Sequence, residues 1–121
     1  MPKTLPVVDV SEPICCAPIS SAPLERDAAV EIALRLKALA DPVRLTLLSI
    51  LIADRSGEGV CTCDLAAAID LTEATTSHHL GRLRQAGMVE PERRGMNVYY
   101  RPRPESLRAV CSVLGGDADC C

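Results

Sequence analysis

The chain has no phenylalanine, no tryptophan and only two tyrosines among its 121 residues. A core without large rings must be built from Leu, Ile, Val and Ala, which is marginal for a lone monomer of this size. Self-association that buries further apolar faces would offset the shortfall. Histidine is nearly as scarce: the two present, His78 and His79, are adjacent. That leaves no separate imidazole to serve a nucleophilic cysteine, so an enzyme is not expected. Long apolar runs are missing too. The most apolar stretch, Leu45 to Ala53, is interrupted by Thr46 and Ser49 and is too short to span a bilayer. Pro2 and Pro6 break the N-terminus, which has no apolar leader segment. A cytoplasmic protein without membrane contact is expected.

What is abundant is cysteine, with seven residues. Cytosolic thiols stay reduced, so these point to metal binding or redox sensing rather than a disulfide framework. The net charge of −3 argues against indiscriminate nucleic-acid binding. Its distribution says more. Residues 72–108 carry seven arginines against four glutamates. A basic module in an acidic chain fits a DNA face, with the acidic remainder limiting stray contacts.

The stretch from Leu71 to Met88 reads as one helix. Thr72 is a good N-cap, Glu73 suits the first turn, and Gly87 is a natural stop. Leu80 and Leu83 form a narrow apolar seam with Thr76 one turn before. The other face carries Thr75, Ser77, His78 and Arg82 where Glu and Lys would be usual. Short hydroxyls, an imidazole and a guanidinium suit base edges and phosphates. Just upstream, Asp64 to Ile69 reads as a short helix capped by Asp64, and Asp70-Leu71-Thr72 as a tight turn. Together they form a helix-turn-helix whose second helix would lie in the major groove. Downstream, the alternation in Asn97 to Arg101 marks a strand, and Arg94-Gly95 a hairpin tip. The expected fold is therefore mainly α with a small β-hairpin wing, a winged helix-turn-helix. Its expected DNA contacts are Thr75, Thr76, Ser77, His78 and Arg82, with Arg93 and Arg94 on the wing. His79, beside Leu80, is expected to face inward.

Three segments, Leu39-Ala40-Asp41-Pro42-Val43-Arg44-Leu45, Cys61-Thr62-Cys63-Asp64-Leu65 and Thr76-Ser77-His78-His79-Leu80, closely resemble the ArsR/SmtB family of metal-sensing repressors in order and spacing. The resemblance covers roughly Ala28 to Leu114. It implies a homodimeric transcriptional repressor that holds double-stranded operator DNA and leaves it on binding a metal ion or metalloid.

Taken in order, residues 1–26 read as a disordered, proline-rich arm carrying Cys15-Cys16, two exposed thiols able to share one soft ion. Residues 27–115 read as the DNA-binding and dimerisation domain. Its first helix runs from Asp27 to Leu39. The second is capped by Asp41 with Pro42 at its first position, and Leu45, Leu48, Leu51 and Ile52 form its stripe. Arg44 is expected to be structural. Cys61 and Cys63 precede the helix-turn-helix, where a helix N-terminus favours thiolate and a bound ion would pull on the DNA reader. The last helix, Pro104 to Leu114, carries the stripe Leu107, Val110, Cys111 and Leu114, whose partner would be a helix of another subunit. Cys111 is expected in the core. Residues 116–121 read as a flexible tail, with Cys120-Cys121 not expected as physiological ligands.

The resemblance also bears on the ion. The family's zinc-type site of His and carboxylates on the last helix is missing, so thiolate ligation remains, which selects soft thiophiles. The best-known arsenic design adds a third cysteine three residues after the Cys-x-Cys, where this chain has Ala66. Other members recruit cysteines from the N-terminal arm. The expected metal ligands are Cys15, Cys16, Cys61 and Cys63. Cys15 and Cys16, joined by Cys61 or Cys63, would take arsenic(III) or antimony(III) as inducer. The alternatives are cadmium(II) or lead(II) on all four sulfurs, and a thiol redox-sensing regulator.

Overall fold

The computed structural model describes residues 9–15 and 18–115. The start of the arm, the tail 116–121, and with them Cys16, Cys120 and Cys121, lie outside the described residues.

Helix α1 (Arg26–Leu39) has no side-chain cap and is held by its inward face, Ile32 and Arg35. Helix α2 (Pro42–Ala53) begins as its sequence dictates. The Asp41 carboxylate accepts from the amides of Val43 and Arg44 at 2.8 and 3.1 Å, and Pro42 fills the first position. Arg44 turns back to the end of α1, donating from Nε to the Ala38 carbonyl at 2.6 Å and from Nη2 to that of Lys37 at 3.3 Å. It satisfies carbonyls that a helix end leaves orphaned, a structural role.

The inward stripe of α2 is Leu47, Leu48 and Leu51, while Leu45 and Ile52 are 52% and 46% exposed. This corrects the stripe drawn from sequence. The helix is apolar almost all round, so periodicity does not choose a face; Leu45, Ser49 and Ile52 share the outward one.

A two-residue strand, β1 (Val60–Cys61), leads straight into α3 (Thr62–Ile69). The cap of α3 is Cys61, not Asp64: the Asp64 amide donates to Cys61 Sγ at 3.2 Å. Asp64 sits in the first turn, where its charge favours the helix N-terminus. Asp70 ends α3 in the left-handed conformation at φ 56°. After the turn comes α4 (Glu73–Gln85), capped by Thr72 Oγ1 accepting from the Thr75 amide at 3.1 Å. Strands β2 (Val89–Arg94) and β3 (Asn97–Pro102) form the wing hairpin, turned at Gly95, φ 61°. The antiparallel sheet runs β1-β3-β2, with Val60 opposite Tyr100 and Cys61 opposite Tyr99. Helix α5 (Pro104–Gly115) closes the chain. The expected winged helix-turn-helix is the observed architecture, around a core of Leu47, Leu51, Leu65, Leu80, Leu83, Met88 and Val89.

The arm departs from the structureless segment expected. Val10 and Ile14 are buried in the core. Two arginines from elsewhere hold its backbone: Arg35 Nη2 donates to the Glu12 carbonyl at 2.8 Å, and Arg103 Nη1 to that of Ser11 at 2.8 Å. The segment passes over Gly87 (φ 73°), where an added Cβ would collide with the Ser11 carbonyl. Further on, the Ile19 amide donates to the Val113 carbonyl at 2.9 Å. Two isolated apolar anchors with remote hydrogen-bond donors leave no local signal of order.

Candidate nucleic-acid and thiol sites

Helix α4 sorts its residues cleanly. Leu80, Leu83 and Thr76 are buried, whereas Thr75, Ser77, His78 and Arg82 are exposed. Thr76, expected as a DNA contact, is fully buried, and its hydroxyl donates to the Thr72 carbonyl at 2.8 Å. It lies one turn before Leu80 on the inward seam, so it cannot reach a base. His79 is half-buried, with Nδ1 3.4 Å from Arg44 Nη1.

On the wing the two arginines divide. Arg93 is exposed. Arg94, expected on DNA, is folded onto the protein. Its Nη2 donates to Glu92 Oε1 at 2.7 Å and to the Glu58 carbonyl at 2.6 Å, and its guanidinium lies 4.5 Å from the Tyr99 ring centroid. The Arg94 hydrogen bond, then the charges of Arg101 and Arg94, hold the Glu92 carboxyl below its ordinary range. The same Glu92 contact raises Arg94. Arg101 adds a bond from Nε to the Gly57 carbonyl at 3.1 Å. Both arginines thus tie the wing to the loop that leads into Cys61.

Beside α4 runs a groove lined in part by Lys37, Arg44, Arg82 and Arg84, and by Asp9. Sequence reading counted Arg84 in the basic module but passed over Lys37. Lys37 lies on α1 and Arg84 on α4, so no spacing relates them.

The thiol site is where β1 meets α3. Cys61 is extended and Cys63 is in the first helical turn, which brings their sulfurs together as a disulfide with Cα atoms 5.3 Å apart. The expectation of reduced thiols is therefore not what the structure holds: this junction suits a disulfide as well as a chelate. Cys61 is 4% exposed and Cys63 open to solvent. Their sulfurs and an Asp64 carboxylate oxygen all lie within 4.8 Å of one another. Asp64 is a third donor that sequence reading took for a cap. Residues present thus fit a soft ion once the pair is reduced. Cys15 is exposed with a free thiol, between buried Ile14 and the Ile19 contact to α5. It is not among the groups gathered at Cys61 and Cys63. Cys111, expected in the core, is half-buried and disulfide-bonded.

Among the described residues no helix is long and apolar enough to cross a membrane. A family model described as "Bacterial regulatory protein, arsR family" matches residues 41–90. The arsenic resistance transcriptional regulator ArsR1 of Pseudomonas putida is 42% identical over 83 residues, 69% of this chain and 62% of that protein. The chain thus spans less than two thirds of that relative's length. The crystal structure of the AntR antimony-specific transcriptional repressor matches with a TM-score of 0.59 at 34% identity, over 80% of this chain and 88% of that one. So does the homodimeric winged helix-turn-helix DNA-binding domain Mb0332 from Mycobacterium bovis, described as a possible ArsR-family regulator. Its TM-score is 0.59 at 29% identity, over 77% of this chain and 85% of that one.

Proposed function

The chain belongs to the arsR family of bacterial regulatory proteins, and we propose that it is a homodimeric repressor released from operator DNA by arsenic(III) or antimony(III) on cysteine thiolates. The observation that carries this reading is the pair Cys61 and Cys63 at the first turn of α3, one strand-pairing step from the wing residue Tyr99. An ion taken there acts on both DNA-reading parts at once. Thr75, Ser77, His78 and Arg82 read the major groove, and Arg93 reaches the backbone from the wing. Arsenic(III) takes three sulfurs, so the reduced pair needs help, and Cys15 and Cys16 supply it. In this reading the arm meets Cys61 or Cys63 of the partner subunit, which is supported by the Ile19 amide that holds the arm to the Val113 carbonyl of α5. Relatives named as an arsenic resistance regulator and an antimony-specific repressor support the inducer class.

Release requires differential affinity of the ion for the DNA-free form. A hundredfold loss of operator affinity corresponds to about 2.7 kcal/mol of coupling, an ordinary allosteric magnitude. A second reading, cadmium(II) or lead(II), is favoured by the Asp64 carboxylate beside the two sulfurs, since a mixed sulfur and oxygen set suits those ions better than arsenic(III).

The test is operator release, followed with a fluorescent duplex, against arsenite, antimonite, cadmium, lead and zinc on reduced protein. Arsenite and antimonite are expected to release at the lowest concentrations. The Cys15→Ser/Cys16→Ser protein should bind the operator normally and ignore arsenite. Wild-type arsenite response in that variant would sink the arm-bridged site, and cadmium or lead releasing first would favour the second reading.

A further inference from the structure

We propose that Cys61 and Cys63 form an oxidation site whose disulfide keeps the protein on its operator by withholding both sulfurs from the inducing ion. This rests on the reading of these thiols as ion ligands. The oxidised pair is compatible with everything around it. With the disulfide in place, Cys61 still pairs with Tyr99 and still accepts the Asp64 amide. Helices α3 and α4 are complete, and Thr75, Ser77, His78 and Arg82 remain exposed. The DNA-reading surface is complete with the disulfide in place, whereas a sulfur engaged in a disulfide has no thiolate to offer a metalloid. Oxidation and induction therefore compete for the same two sulfurs.

Burial assigns the roles. Cys63 is open to solvent and Cys61 nearly closed off, so Cys63 meets the oxidant and Cys61 resolves it, the usual division in a paired thiol. With hydrogen peroxide as oxidant, the Cys63 thiolate attacks one peroxide oxygen. The S–O bond forms, the O–O bond breaks, and the departing hydroxide takes a proton to leave as water. Cys61 then attacks the Cys63 sulfur; the S–S bond forms, the S–O bond breaks, and a second water leaves. The two thiols give up two electrons and two protons, and peroxide is reduced to two waters. A thiol reductant reverses the step through a mixed disulfide.

The sign is opposite to that of a regulator that leaves DNA when oxidised, and this makes it testable on the full chain. Protein is treated with graded peroxide, desalted, and divided between operator titration, arsenite release and peptide mapping after thiol alkylation. Trypsin places Cys61 and Cys63 alone on residues 56–82, with Cys15 and Cys16 on 4–26 and the rest on 109–121. Peptide 56–82 is expected to escape alkylation in proportion to dose, while operator affinity stays within about twofold. The arsenite needed for half-release should rise about tenfold or more in the same proportion, and fall back after reduction and desalting. Three results would each overturn the proposal: peptide 56–82 staying alkylated, oxidation alone releasing the operator, or arsenite resistance tracking another peptide instead. If reduced protein ignored arsenite, the inducer reading would fail by itself. Mapping and operator titration would then still decide whether oxidation occurs at this pair and spares DNA binding.

Discussion

Arg94 is the residue whose surroundings change its meaning most. Its charge is spent on Glu92 and Glu58, and its plane on Tyr99, so a phosphate would have to displace three partners. Arg93 carries no such commitment among the described residues. Arg93→Ala is expected to flatten the salt dependence of operator binding by about one unit without changing sequence preference. Arg94→Ala should instead loosen the wing, seen as faster amide exchange in residues 57–61 and 89–101. Equal salt slopes for the two variants would reverse this assignment. Glu92 and Asp41 also set a pH limit. Both hold carboxyl groups lowered in the fold, Glu92 chiefly by Arg94 and Asp41 chiefly by the Arg44 amide. A lowered folded value means that the stabilisation is present above the ordinary carboxylate range and is lost as pH falls through the folded value. Thermal unfolding should therefore be flat near neutrality and fall below about pH 4. A fall beginning above pH 6 would implicate other groups. In the sequence these residues show only charge. The alternation of the wing was legible, but which arginine faces the loop depends on Glu58, thirty-six residues away.

At the scale of elements, the helix-turn-helix could be read from Thr72, the Leu80 and Leu83 seam and the Asp70 turn, because caps and periodicity are local. Thr76 lay on the same seam, and its short hydroxyl concealed that it faces inward. Strand β1 could not be read: two residues carry no period, and Val60 and Cys61 are a strand only because Tyr99 and Tyr100 lie opposite. The same limit hid the arm, whose order depends on Arg35 and Arg103. Packing then assigns a magnitude to each element. Leu65, fully buried on α3, should cost about 2–5 kcal/mol on replacement by alanine. Leu45→Ala, on the exposed face of α2, should stay within about 0.5 kcal/mol in a monomer. Chemical denaturation measures both, and a large loss at Leu45 would mean that its face is covered in solution.

For the whole molecule, the proposed dimer needs an apolar face to meet a second copy, and the described residues offer two candidates. One is Leu45 and Ile52 on α2. The other candidate is Leu114 on α5, 41% exposed, with Leu107 and Cys111 half-buried in register with it, together with Val30 on α1, 39% exposed. The second is favoured because α5 turns Ser106, Val110 and Val113 inward and still carries an apolar stripe on its flank. A core without large rings gains most from closing that flank. A two-fold axis there would set two α4 helices for successive major grooves, about 34 Å apart on an inverted repeat. It would also bring the arm of one subunit toward the other, as the arsenic site requires. Leu114→Glu with Val30→Glu should therefore give a folded monomer by sedimentation at micromolar concentration. Its operator affinity should fall about a hundredfold or more, because two half-sites are no longer held together. Leu45→Glu with Ile52→Glu should leave a dimer. If the α2 pair dissociated the protein and the α1/α5 pair did not, the axis would lie on α2, and the cross-subunit route from Cys15 to Cys61 or Cys63 would fall with it.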